Sequence, residues 1–257
     1  MDIATVIGFI VGAAAVIGSI LSGGTIGAFI DPPSLIVVGG GVTAATLIKW
    51  PMSTVKQLVP VTMKSIFNAA QDPKLVIEEI QKLAETARRE SVFALEKVPV
   101  EDQFLKKAVT LAADNRPPEV ITSILQLEID SLVGRHKAGI TILTEMANDG
   151  PAMGMIGTLI GLVIMLQNLS GGPEELGKSM AVAILTTFYG AVLANLFAGP
   201  VAVKLTYYSN AEALRMNIII AGVLGIVAGE NPRVIREKLD SFLPPGDRQQ
   251  ADAEAQA

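Results

Sequence analysis

The chain has 257 residues, 50% of them hydrophobic and only 18% charged, a balance too apolar for an ordinary water-soluble domain of this length. It has no cysteine and a single histidine, His136, which excludes disulfides, thiolate chemistry and a histidine-built metal site. A net charge of -5 gives no broad basic surface for nucleic acid.

A spanning helix needs about 20 mostly apolar residues. Residues 3–22 meet this, and the opening Met1-Asp2-Ile3 lacks the basic flank of a secretory signal, so the run reads as a retained first span. Residues 34–50 are shorter and hold Gly39-Gly40-Gly41; they read as a second span. The segment 51–146 is expected to be helical. One helix starts at Asp72-Pro73, where the carboxylate caps and the proline occupies the first turn, with Leu75, Ile80, Leu83, Ala84 and Ala87 as its apolar face. Pro117-Pro118 opens another, running through Ile121, Leu125, Ile129 and Leu132 toward a third span at 150–169. The fourth span covers 179–203. Ile218–Ala228 is too short to cross and reads as a buried or oligomer-facing helix. Asn231-Pro232 begins a last helix, and from Pro244 the chain has too little apolar surface to fold. The expected architecture is an all-α membrane protein with four transmembrane helices and a large helical cytoplasmic domain. Its segments are 1–50, 51–146, 147–203, 204–243 and a disordered tail at 244–257.

Basic residues near span ends set orientation. Lys49, Lys56 and Lys64 follow span two, Arg135 and Lys137 precede span three, and Lys204 and Arg215 follow span four. The loop 23–33 has no Lys or Arg, and only Lys178 stands between spans three and four. Both termini and the middle segment are therefore expected in the cytoplasm.

Gly172-Pro173-Glu174-Glu175-Leu176-Gly177-Lys178-Ser179 matches the phosphate-loop pattern letter for letter. That loop works between a strand and a helix where nucleotide is available, and a turn between two spans offers neither. More informative is what lines the spans. Gly150, Gly154, Gly157, Thr158 and Gly161 form a small-residue stripe in span three. Ala183, Thr186, Thr187, Gly190, Ala191, Ala194 and Ala198 form another in span four. Such stripes pack helices closely; Thr158, Thr186 and Thr187 also bring hydroxyl oxygens that a partly dehydrated monovalent cation requires. No span contains an acidic residue: Asp31 lies in the loop before span two and Asp149 before span three, neither at mid-depth. A self-contained ion-coupled transporter places a carboxylate inside its helices. If ions cross, a partner supplies it. Pro151 reads as an ordinary helix start and Pro200 as a tolerated membrane proline, and each removes a backbone donor. Arg88, Arg89, Glu90 and Glu96 form a mixed charge cluster, the ordinary composition of a solvated face.

Over nearly its whole length the chain resembles the MotA/PomA family of bacterial flagellar stators. The resemblance rests on Pro151-Ala152-Met153-Gly154-Met155-Ile156-Gly157-Thr158-Leu159 and Leu185-Thr186-Thr187-Phe188-Tyr189-Gly190. Leu35-Ile36-Val37-Val38-Gly39-Gly40, Ala94-Leu95-Glu96 and Asn231-Pro232-Arg233-Val234-Ile235 reinforce it. It implies no enzyme and no cofactor, but a homopentameric ring in the bacterial inner membrane that conducts sodium or protons. The ring would enclose the helices of a dimeric, peptidoglycan-anchored MotB/PomB-type partner and push the rotor's switch-complex protein. By motif, Thr158, Thr186 and Pro151 would line the ion path, Pro200 would couple to movement, and Arg88, Arg89, Glu90 and Glu96 would contact the rotor. Asp31 matches an outer-loop acid that influences ion handling in sodium-type members; with Thr158 and Thr186 it leans the expectation toward sodium. Glu90-Ser91 and Lys97 depart from the family pattern. The alternative is an ExbB/TolQ-like energiser of outer-membrane processes, a related class that typically has three spans.

Overall fold

The computed structural model describes residues 2–67 and 72–247, and no strand occurs among them. Eight helices carry the fold: α1 (Ile3–Gly23), α2 (Pro32–Lys49), α3 (Leu58–Phe67), α4 (Pro73–Arg89), α5 (Gln103–Ala113), α6 (Pro118–Gln167), α7 (Pro173–Val227) and α8 (Pro232–Asp240). Four of them, α1, α2, α6 and α7, are long and apolar enough to cross a membrane. The chain divides into two compact units, residues 1–69 with 135–207 and residues 70–134 with 208–257.

The first unit contains the spans. Asp2 caps α1 through the Ala4 amide at 3.0 Å, and its carboxylate pairs with Lys204 of α7. No residue of α1 is buried, and Ile3, Ile7, Ile10 and Val11 are all exposed, which an apolar helix tolerates only among lipids or other protein surfaces. The unit's own aliphatic cluster is small: Leu143, Val201, Ala202 and Leu205, with Phe9, Leu58 and Val61 against it. Both α2 and α7 contain a wide π turn, at Ile36–Gly40 and Leu193–Ala198. The triple glycine thus loosens the second span without ending it.

The second unit has a core of large aliphatic side chains. Ile77, Ile80 and Leu83 from α4, Leu105 from α5, Ile121 and Leu125 from α6, Ile218 and Ile219 from α7 and Ile235 from α8 are all at most 2% exposed. The run at 218–228 is therefore a buried stretch of α7. Asp72 caps α4 through the Lys74 amide at 2.9 Å, with Pro73 in its first turn. The face of α4 differs by one residue from the sequence expectation: Leu75 is 64% exposed, and Val76 and Ile77 are buried in its place. At 100° per residue, Leu75 lies about 140° away from Ile80, whereas Val76 sits one turn before it. Helix α5, capped by Asp102 through the Leu105 amide at 2.7 Å, falls within the segment expected to be helical, although no start signal there was singled out. The last segment remains attached through 247, where Asp247 pairs with Lys74 at 3.0 Å; the rest of the expected tail, 248–257, lies outside the described residues.

Candidate functional site

The two small-residue stripes meet. A methyl group placed on Gly150 would come within 2.8 Å of the Gly190 carbonyl oxygen; on Gly154, within 2.9 Å of the Thr186 carbonyl oxygen; on Gly161, within 2.8 Å of the Ala183 methyl. As positions rise in α6 they fall in α7, so the two spans run antiparallel with their backbones in contact. Thr186 fills the space Gly157 leaves: a methyl there would lie 2.5 Å from the Thr186 Cβ and 2.6 Å from its Oγ1.

The three threonines consequently have different surroundings. Thr186 is fully buried in the seam, its hydroxyl 2.9 Å from the Val182 carbonyl and 3.0 Å from that of Ala183. Thr158 is half-buried and donates to the Met155 carbonyl at 2.6 Å. Thr187 is exposed, with the Ala183 carbonyl 3.4 Å away. Each hydroxyl proton is directed into its own helix, which leaves oxygen lone pairs as the remaining capacity. Those of Thr186 face the Gly157 backbone, whereas Thr158 and Thr187 are accessible.

Pro151 does not start a helix. It lies inside the 50-residue α6, where it removes the bond that the Ala147 carbonyl would accept, and its Cα adjoins Gly190. Pro200 follows the π turn of α7, in which the Gly199 amide reaches back five residues to the Ala194 carbonyl. A side chain at Gly199 would come within 2.7 Å of that oxygen. Around Pro200 and Asn195 a recess of about 320 Å³ opens toward Thr5, Gly8 and Phe9 of α1.

Asp31 is the N-cap of α2. Its Oδ2 accepts from the Ser34 amide at 2.9 Å and the Ser34 hydroxyl at 2.5 Å, and its own amide donates to the Tyr189 hydroxyl at 3.0 Å. Ser34 is fully buried, with its Oγ 3.3 Å from the Val182 carbonyl. Asp31 therefore stands at the loop end of α2, outside the helix itself. Val182 is nine residues beyond Pro173, so the carboxylate sits roughly 13 Å below the start of α7, level with the turn that carries Thr186. At the other end of α2, Lys49 bridges Glu145 and Asp149, 2.8 Å from each, and ties the helix to α6 just before Pro151.

Sequence reasoning missed the Asp31–Ser34 cap, although Asp-Pro-Pro-Ser before an apolar run carries the same local signal used at Asp72. The partners Tyr189 and Asp149 are 158 and 100 residues from Asp31 and Lys49 respectively, and nothing local announces either pair.

In the second unit Arg88 and Arg89 occupy the last turn of α4, where cations complement the helix C-terminus, and Glu90 follows as the cap. A 3-10 turn at Val92–Lys97 then buries Leu95 and leaves Glu96 and Lys97 exposed. All four residues of the expected cluster lie on the surface. Among the described residues no group of three His, Cys, Asp or Glu side chains is arranged to hold a metal ion. The phosphate-loop match is no loop: Gly172, at φ 85°, caps α7, and Pro173 to Ser179 form its first two turns.

Residues 6–91 match the family model for the motility protein A N-terminal region, and residues 96–218 match that of the MotA/TolQ/ExbB proton channel family. The chain is 38% identical to the chemotaxis protein PomA of Vibrio alginolyticus, over 96% of this chain and 98% of that protein. The chain belongs to the MotA/PomA family of flagellar stator subunits. It is likewise 38% identical to motility protein A of Borreliella burgdorferi, over 98% of both chains. The flagellar MotAB stator complex from Bacillus subtilis contains a chain of the same fold, with a TM-score of 0.86 and 29% identity over 95% of this chain and 97% of that one. Membership in this family makes the protein a stator subunit rather than an enzyme. The TolQ/ExbB class shares the model of residues 96–218, but the motility-specific model of 6–91 and the full-length motility relatives disfavour it.

Proposed function

We propose that five copies of this chain form a ring in the bacterial inner membrane around the helices of two MotB/PomB-type, peptidoglycan-anchored subunits, and that monovalent cations passing between ring and core drive the rotor. The observation that carries this reading is that the apolar stretches 3–22, 34–50, 150–169 and 179–203 contain no carboxylate, while those of α6 and α7 present glycine, alanine and threonine. The carboxylate that loads and unloads the ion is then the partner's. The basic residues flanking the spans support cytoplasmic termini and a cytoplasmic segment 51–146.

Within the ring, Thr158 and Thr187 offer the accessible oxygens, and Thr186 sets the spacing of the seam. Asp31, with one oxygen committed to the helix cap, acts as a fixed negative charge beside the path. A fixed charge concentrates cations without having to change protonation at each passage. Pro151 and Pro200 supply the two places where a helix lacks a backbone bond and yields most easily. Arg88, Arg89, Glu90 and Glu96 meet complementary charges on the rotor's switch-complex protein. The oxygen-lined surface favours sodium over the proton, since a sodium ion leaving water needs several oxygen ligands at once.

The test is swimming speed against external sodium at fixed pH, in a strain lacking its own stator genes and supplied with this chain and its partner. Speed rising with sodium and surviving a protonophore is the expected result, and Thr158→Ala then slows the motor several-fold. Speed that ignores sodium and collapses with the protonophore assigns the proton instead. Swimming that does not depend on this chain at all would remove the stator reading for this system.

A further inference from the structure

Tyr189 makes a contact that neither helix packing nor the threonine surface requires. Its hydroxyl accepts from the Asp31 amide at 3.0 Å and donates to the Phe29 carbonyl at 2.5 Å. The carbonyl ends the 3-10 turn Ile26–Phe29 and the amide belongs to the cap of α2, and Pro32 and Pro33 offer no backbone donor to the first of them. One side chain of α7 therefore satisfies a donor and an acceptor of a loop 160 residues away in sequence. The anchorage continues on either side. Phe29 meets Phe188 edge-on with ring centroids 5.7 Å apart, and Ser34 reaches the Val182 carbonyl of the same helix. The Asp31 carboxylate is thus held from α7 through its own amide and through the serine that caps with it. Its Oδ2 takes both Ser34 bonds, and among the described residues Oδ1 accepts none, so the carboxylate is oriented with one oxygen left open.

We propose that Tyr189 is the positioning residue of the cation entry: its hydroxyl fixes the Phe29–Asp31 backbone to α7 and so holds the open oxygen of Asp31 level with the Thr186 turn. The proposal rests on the reading of Asp31 as a fixed charge beside the path. Without the hydroxyl, the Asp31 amide and Phe29 carbonyl turn to other partners, and the loop and its carboxylate leave that level. The local cation concentration falls, while the chemistry at the partner's carboxylate is untouched. The signature is a higher half-saturating cation concentration at unchanged maximal speed, a split that general loss of assembled stators does not produce.

The experiment compares Tyr189→Phe, Asp31→Asn and the double variant in motile cells, reading speed against external sodium and, in parallel, against pH. Tyr189→Phe is expected to raise the half-saturating concentration of the coupling cation about three- to tenfold, the scale of one lost ordering hydrogen bond. Asp31→Asn is expected to do the same, and the double variant no more than either. If Asp31→Asn leaves half-saturation unmoved, the fixed-charge reading fails. If Asp31→Asn shifts it and Tyr189→Phe does not, or the two effects multiply, the positioning role fails. A second measurement holds even when motility is lost. The chain has no cysteine, so Ile30→Cys provides a unique thiol beside the anchored groups. Its maleimide labelling rate in membranes should rise several-fold when Tyr189→Phe is added, and an unchanged rate would overturn the anchorage.

Discussion

The spans of the first unit and the core of the second achieve close packing by opposite means. Around Ile80, Leu105 and Ile218 the second unit buries large aliphatic side chains, the arrangement that water enforces on a folded segment. Along the α6–α7 seam of the first unit the contacts are between backbones, made possible by Gly150, Gly154, Gly157 and Gly161, and the large side chains Met155, Leu159 and Val163 are exposed. Lipid tails remove the incentive to bury leucine, so helices associate by shape and by small residues instead. The lesson is that substituting toward larger residues is dangerous in one unit, and toward smaller residues in the other.

Three variants sharpen this contrast. The largest effect is expected from Gly157→Val, because its Cβ would lie 2.5 Å from the Cβ of Thr186, in a seam where neither backbone has room to retreat. Swimming in soft agar should be abolished and assembled complex absent from native gels; normal swimming would show that the seam opens in the working motor. Leu105→Ala, in the fully buried core of the second unit, is expected to cost about 2–5 kcal/mol and to appear as a lowered melting temperature of the purified complex. An effect no larger than that of Leu159→Ala, on an exposed span face, would contradict the division. The smallest effect concerns charge. Burial, reinforced by the nearby carboxylates of Asp102 and Glu101, pushes the Glu79 carboxyl above its usual range. A raised carboxyl disfavours the folded state where it is ionised, so Glu79→Gln should raise the melting temperature by about one or two degrees at neutral pH. The gain should vanish as pH falls below the ordinary carboxylate range, where both side chains are neutral. A gain that persists at low pH would assign it to packing instead of charge.

Much of the architecture was legible because it depends on local patterns. Four apolar runs gave four membrane-length helices, Asp72-Pro73 gave the start of α4, and the two small-residue stripes were visible as stripes. What the patterns could not give was direction. Thr186 and Thr187 are neighbours in sequence, and only the antiparallel seam with Gly157 decides that one is enclosed and the other accessible. Leu75 fits the apolar spacing of α4 only approximately, and the helical period places Val76 and Ile77 on the buried face instead. Pro151 resembled a helix start because the apolar run begins beside it, but the polar residues before it continue the same helix. The attachment of Asp31 to α7 was invisible for a different reason: it runs through Tyr189 and Val182, which lie about 150 residues further along the chain.

That attachment gives the first unit an uneven end. The hairpin of α6 and α7 extends roughly 13 Å past the start of α2. The added length is capped by the exposed polar side chains Asn168, Glu174, Glu175 and Lys178. Such groups belong with water and headgroups, not hydrocarbon, so the tip of the hairpin overhangs the polar cap at Asp31 and Ser34 as a hydrophilic collar.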